Sequence, residues 1–242
     1  DSSENEQVWY TNWGWIGNPF FTVERNVNQD QRKRYIGNLS LNHQTKEWLS
    51  IMGRIGMDNF NENRHNRIAS RSFTSPNGEF SDETIDFLEV NADYLISAKK
   101  KLRTNWEISG NLGGNTMYQR RKIHSQSGRN LIEHGVYELE NVAPANRTDR
   151  SFLYERRINS TYGSVQVAYK NYLYFDMTGR NDWTSTLPKE NNSYFYPSAS
   201  ASYVFSEHAT KLPRFITFGK LRASIAQVGK DADPYQLQIG YD

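Results

Sequence analysis

In Leu88-Glu89-Val90-Asn91-Ala92-Asp93-Tyr94-Leu95-Ile96-Ser97 every even position is apolar, while Glu89, Asn91, Asp93 and Ser97 fall between them. Side chains of a β-strand point alternately to opposite faces, so this stretch reads as a strand with one apolar and one wet face. The same period recurs on both sides of it. Tyr35–His43 sets Tyr35, Gly37, Leu39 and Leu41 against Asn38, Ser40 and Asn42, and Leu49–Asp58 sets Leu49, Ile51, Ile55 and Met57 against Ser50, Arg54 and Asp58. Downstream, Trp106, Ile108 and Leu112 oppose Asn105, Glu107, Ser109 and Asn111. Four later segments repeat the pattern, carried by Val165–Tyr169, Leu173–Met177, Ala199–Phe205 and Leu221–Ile225. The count is about eight strands, with part of another expected at Gln236–Tyr241 and no amphipathic helix.

Composition says which solvents those faces meet. Hydrophobic residues are 36% of the 242, yet aromatics reach 14%, with 15 Tyr, 12 Phe and 6 Trp. Mean hydropathy is −0.82. A polar, aromatic-rich chain is neither disordered, which depletes aromatics, nor built round a large aliphatic core. It fits a sheet between two solvents, with Tyr and Trp at the boundary. Net charge is +2 with both signs mixed, which argues against a nucleic-acid partner, and the absence of cysteine excludes a disulfide framework. No apolar run approaches the roughly 18 residues of a spanning helix, but a barrel strand needs only about 9–11.

The expected connections alternate in length: short at 44–47, 98–103 and 170–171, long at 59–86 and 116–159, medium at 182–193, with a turn at 207–214 and a loop at 229–234. Outer-membrane barrels sort loops this way, with short periplasmic turns and longer extracellular loops. Aromatics gather beside both sets: Trp48, Trp106, Tyr172, Tyr174, Phe215 and Phe218 near short turns, and Phe60, Tyr118, Tyr162, Trp183, Tyr194 and Tyr196 near long ones. Two belts at two headgroup layers are the expectation. The fold class is therefore all-β: an antiparallel transmembrane β-barrel segment, about eight strands of a larger closed barrel, in the bacterial cell outer membrane.

Specific strings narrow this further. Gly179-Arg180-Asn181-Asp182-Trp183-Thr184-Ser185-Thr186-Leu187-Pro188, then Asn192-Ser193-Tyr194-Phe195-Tyr196-Pro197-Ser198, resembles the barrel of SusC/RagA-type TonB-dependent transporters from Bacteroidetes. So do Phe218–Ser224 with Ala226–Gly229 and Asp233-Pro234-Tyr235, and, upstream, Asn18-Pro19-Phe20-Phe21 through Arg34–Asn38. The resemblance implies energised uptake of oligosaccharide or peptide cargo through a barrel filled by its own plug domain. It implies as partners the TonB complex, a SusD-type lipoprotein lid and outer-membrane lipid. It also implies that residues 1–242 are a partial receptor barrel, lacking plug, TonB box and C-terminal strands, since a plugged lumen takes about 22 strands.

Candidate chemistry is sparse. His43, His65, His124, His134 and His208 lack ligand spacing, and Asp231-Ala232-Asp233 is an acidic pair without the six or more oxygens Ca²⁺ wants. No nucleophile–base pairing calls for an enzyme, and no cofactor or metal is expected. Arg180, Asp182 and Trp183 sit where a strand enters a long-side loop. Trp183 is placed to stack on a sugar or peptide while Arg180 and Asp182 hydrogen-bond it; the favoured reading is structural, with the pair tying the loop base and Trp183 joining the belt. Lys99-Lys100-Lys101 with Arg103 reads as a solvated turn or an anionic-lipid contact. The wet-face residues together, among them Asn38, Arg54, Asp93, Gln166, Asp176 and Arg222, form a hydrophilic wall. A soluble β-sandwich carbohydrate-binding module is the alternative. It predicts a second sheet packed on Leu39, Leu41, Ile51, Leu173 and Phe175.

Overall fold

A computed structural model describes residues 17–209, 213, 215–229 and 232–236, and of Arg103 the backbone. Eight strands follow one another: β1 (Val27–Lys46), β2 (Leu49–Ile68), β3 (Glu79–Arg103), β4 (Trp106–Arg129), β5 (Arg147–Tyr169), β6 (Leu173–Thr184), β7 (Ser193–Tyr203) and β8 (Leu221–Ala226). They pair in that order as one antiparallel sheet. Each expected strand is present. The fraction of a ninth at Gln236–Tyr241 falls mostly outside the described residues, and Gln236 itself lies in a turn. Leu39 and Leu41 are 73% and 75% exposed, so the second sheet required by a sandwich is absent among the described residues.

Register converts the period-two pattern into two faces. Met177 lies opposite Val165 and Ala199, whereas its neighbour Asp176 lies opposite Gln166 and Ser200. Ala199 and Ala201 in turn face Ile225 and Ala223. Apolar therefore meets apolar across β5–β8, and polar meets polar, one residue out of step.

The strands run further than the alternation indicates. The stretch expected as a 28-residue loop, 59–86, is strand as far as Ile68 and again from Glu79, leaving only 69–78 as loop. Likewise 116–159 is strand to Arg129 and from Arg147. The turn expected at 98–103 is strand, and the chain reverses at 104–105. The cause is visible on the face that is apolar lower in β2 and β3. Beyond Met57 its residues become Asn61, Asn63 and His65, bonded across to Asp86 at 2.7 Å, Thr84 at 3.1 Å and Asp82 at 2.6 Å. Where both faces are wet, a strand has no hydrophobic period, and these cross-strand polar pairs hold it instead. The apolar run on β3, from Leu88 to Ala98, spans about 33 Å along the strand. Tilted by about 40°, that matches the roughly 25 Å apolar band of an outer-membrane barrel.

A short helix, α1 (Pro19–Arg25), was not expected. Seven residues are too few to show a 3.6-residue period, but its start carries chemical signals. Asn18 caps it by accepting from the Phe20 amide at 3.0 Å, and Pro19 occupies the first helical position. A single turn of helix, α2 (Phe205–His208), opens the connection after β7.

Contacts divide the chain into two units, Asp1–Tyr35 with Asp58–Leu88 and Arg120–Tyr154, and Ile36–Met57 with Glu89–Gln119 and Glu155–Asp242. The first unit contains a small core: Phe80, Leu131 and fully buried Val142, with Tyr137 and Leu139 against them. A β-bridge between Leu131 and Val142 closes loop 130–146 on itself. The Asn130 and Leu131 amides donate to Gly78 and Asn77 carbonyls, lacing it to loop 69–78. This loop is a folded object, not the structureless connection its composition suggests.

Candidate functional site

The wet face of the second unit is a continuous polar surface. The Ser97 hydroxyl donates to Asn111 at 2.7 Å, and the Asn111 amide donates to Ser164 at 3.0 Å. Asp176 accepts from Gln166 at 2.5 Å and from Ser200 at 3.3 Å, and Thr178 meets Ser198 at 2.6 Å. Arg54 pairs with Asp93 at 3.1 Å. Against this wall lies a cavity of about 680 Å³ lined by Gln166, Asp176, Thr178, Ser200, Lys220 and Arg222. Residues of the hydrophilic wall expected from sequence thus pair across neighbouring strands in several hydrogen-bonded groups. The basic cluster after Ser97 belongs to the end of β3, where Lys99 pairs with Glu107 at 2.8 Å; the Arg103 side chain lies outside the described set.

Arg180 and Asp182, two residues apart on β6, share this face. The Arg180 guanidinium donates from Nε to Asp182 at 2.7 Å and from Nη2 to Ser160 at 2.9 Å. Its carbon lies 5.9 Å from the centre of the Tyr162 ring, within cation–π range. A cavity of about 370 Å³ is lined by Arg180, Asp182, Tyr194 and Tyr196, with Ile158 and Val228 at its apolar edge. The two tyrosines stack at 6.5 Å with their planes 14° apart. Trp183, between Asp182 and Thr184, alternates to the other face, opposite Asn159 and Ser193.

The structure therefore places Arg180 and Asp182 together and Trp183 away from them. The aromatic rings on their face are Tyr162, Tyr194 and Tyr196. Nearness to loop ends points these rings to the interfacial belt, but the register sets Tyr162 and Tyr196 opposite Arg180 and Tyr194 opposite Asp182, on the wet face. Phe60 is displaced for the same reason, stacking on Phe87 at 4.8 Å with the Arg32 guanidinium 4.7 Å above it. Tyr174 lines the polar cavity as well. On the apolar face near the short turns a belt does form. Trp106 meets Tyr169 at 4.6 Å, Tyr169 meets Tyr172 at 5.6 Å, and Tyr172 stacks on His208 at 4.4 Å.

Phe60 adjoins the strongest electrostatic feature of the first unit. Glu62 is 3% exposed and accepts from Arg32 and Arg64, both at 2.6 Å, while Arg64 also reaches Glu83 at 3.0 Å. The Arg64 hydrogen bond, opposed by burial and seconded by Arg32, holds the Glu62 carboxyl below its ordinary range. Among the described residues no group of three His, Asp or Glu side chains is arranged to hold a metal ion. Asp231, half of the acidic pair considered for a cation, lies outside them.

No family model matches the chain. It is 27% identical over 234 residues to the TonB-dependent receptor P26 of Formosa agariphila, which covers 91% of this chain and 23% of that receptor. Its fold is similar to the RagAB peptide transporter, with a TM-score of 0.73 at 14% identity over 90% of this chain and 25% of the other. It is likewise similar to the RagAB peptide importer in an open-open state, with a TM-score of 0.74 at 14% identity over 91% and 25%. The closed-closed state of that importer gives a TM-score of 0.71 at 13% identity over 86% and 24%. The chain spans about a quarter of the length of these proteins. Sequence and fold together bear out the resemblance to a SusC/RagA-like barrel segment. Among the described residues no helix is long and apolar enough to cross a membrane.

Proposed function

We propose that residues 1–242 form a stretch of barrel wall in a TonB-dependent transporter of the bacterial outer membrane, importing oligosaccharides or peptides. The observation that carries this reading is the division of β2–β8 into an apolar face that stays exposed and a wet face knitted by hydrogen bonds. A membrane explains the first and a polar lumen the second. The plug, the contact with TonB and a SusD-type lipoprotein are supplied by the rest of the assembly. Wet-face groups such as Asp176, Lys220 and Arg222 then face the plug, and the Arg180–Asp182 pair with Tyr194 and Tyr196 contacts cargo near the long-loop ends. Planar rings beside a charged pair suit a sugar face or a peptide unit. The match to a peptide importer supports the cargo class.

The test is uptake of fluorescent oligosaccharides and oligopeptides by cells with and without the protein. Uptake is expected to require the protein and to stop when the proton gradient is collapsed. The paired substitutions Arg180→Ala and Tyr196→Ala are expected to lower it roughly tenfold, or ~1.4 kcal/mol, at unchanged surface abundance. Uptake that persists without the protein, or without the gradient, contradicts the reading.

A further inference from the structure

We propose that the short-turn end of the apolar face holds the headgroup of an anionic phospholipid, on one side of the membrane only. The proposal rests on the reading of that face as lipid-facing and names the lipid it prefers. At this end the belt of rings runs unbroken from β4 to α2. Beyond the Trp106, Tyr169, Tyr172 and His208 contacts, Tyr203 meets Tyr172 edge-on at 6.1 Å, with the planes 80° apart. Over the belt lies a cation: the Lys170 ammonium is 5.6 Å from the centre of the Tyr169 ring and 6.0 Å from that of Tyr172. Lys170 is exposed and sits in its turn at φ 48°, with its amide donating to the Asn105 carbonyl at 2.5 Å. Its backbone is therefore tied to the neighbouring turn while its side chain lies back over the rings.

Lys100 supplies a second cation. On β3 the alternating apolar row from Leu88 to Ala98 continues into exposed Lys100, whereas Lys99 turns to the wet face and pairs with Glu107. Two residues past Ala98 is about 7 Å of strand, and headgroup layers add roughly 5–7 Å on each side of the hydrocarbon. Lys100 therefore reaches the depth of the phosphates. Strands β3 and β5 flank β4 about 10 Å apart, so Trp106 lies between the two lysines. Among the described residues neither Lys100 nor Lys170 has a carboxylate partner. The carboxylates at this end besides Glu107 are Glu47 and Glu207, outnumbered by Lys46, Lys100, Lys101 and Lys170. The far end of the same row is built the other way. Asp82, Thr84 and Asp86 occupy it, bonded to His65, Asn63 and Asn61. It carries carboxylates where the short-turn end carries ammonium groups. A phosphodiester with no cation of its own complements the short-turn end: the lysines meet the phosphate, and the rings lie at headgroup level. A zwitterionic headgroup would set its own ammonium beside Lys170.

The experiment reconstitutes the protein in phosphatidylcholine vesicles and reads Trp106 as the part of the fluorescence lost in Trp106→Phe. A minor fraction of the lipid is brominated on its acyl chains and carries either a phosphatidylglycerol or a phosphatidylcholine headgroup. The brominated glycerol lipid is expected to quench Trp106 with an apparent affinity at least roughly fivefold above that of the choline lipid. The preference is expected to shrink at about 1 M salt, where the Debye length is about 3 Å. Lys100→Gln with Lys170→Gln is expected to remove most of it, and Lys101→Gln, one residue along on the wet face, to change it by less than about twofold. Equal quenching by the two lipids, or a preference that survives Lys100→Gln with Lys170→Gln, overturns the proposal and leaves the barrel reading standing. Quenching of Trp106 by neither lipid overturns both.

Discussion

Replacing Met177 by arginine is expected to cost about 2–4 kcal/mol of folding free energy in a lipid bilayer, the cost of arginine at the midplane of an outer-membrane barrel. Met177 is 66% exposed and sits among Val165, Ala199 and Phe175 on the apolar face. Among the described residues nothing covers it, so whatever solvent meets that face meets Met177 directly. Ser200→Arg, one residue along from the position opposite Met177 but on the wet face, adds a cation beside Asp176 and is expected to be much milder. Denaturant titration of folding into lipid vesicles separates the two. Equal costs for both substitutions would mean that the faces do not see different solvents.

Removing the Glu62 carboxylate is expected to have the next largest effect. Glu62→Ala leaves Arg32, which lies over Phe60, without its carboxylate partner, and leaves Arg64 with Glu83 alone. Breaking a fully buried pair costs about 3–5 kcal/mol, but these guanidinium groups are 46% and 49% exposed, so water offsets part of it. A loss of about 2 kcal/mol follows, read as faster amide exchange at 59–68 and 79–86. The pH dependence has a fixed sign. Glu62 lies past the apolar run of β2, and its carboxyl is held below the ordinary range. Its contribution is therefore complete above the ordinary carboxylate pKa, about 4.3, and lost as pH falls through the lower folded value. Corrected for the intrinsic pH dependence of amide exchange, protection in those segments should fall with acid in the native protein and much less in Glu62→Gln.

The limits of the sequence reading have one physical origin. Alternation is legible only where the two faces meet different solvents. Leu88–Ser97 and Leu173–Arg180 were readable because lipid and water select opposite residues, and the structure places them as strands in the expected register sense. Residues 59–68, 79–87 and 116–129 carry polar residues on both faces, so their period vanishes and they pass for loop. Arg180 and Asp182 were legible as a pair because position i and i+2 share a face. Their aromatic neighbours were not, since Tyr194 and Tyr196 were judged by distance from a loop end and not by parity. The core of Phe80, Leu131 and Val142 joins residues more than 50 positions apart, beyond any local pattern. Helix α1 is announced by Asn18-Pro19, a cap that a search for periodicity passes over.

The most direct test of the two-faced wall is a nitroxide scan of β6 in the protein reconstituted in lipid vesicles. Labels placed singly from residue 173 to 180 are compared for collision with oxygen, which concentrates in lipid, and with a water-soluble nickel chelate. Oxygen access is expected to peak at 173, 175 and 177, and nickel access at 174, 176 and 178, alternating at every step. A scan without alternation, or labels at 175 and 177 reached by nickel more than by oxygen, would contradict a lipid-facing barrel wall.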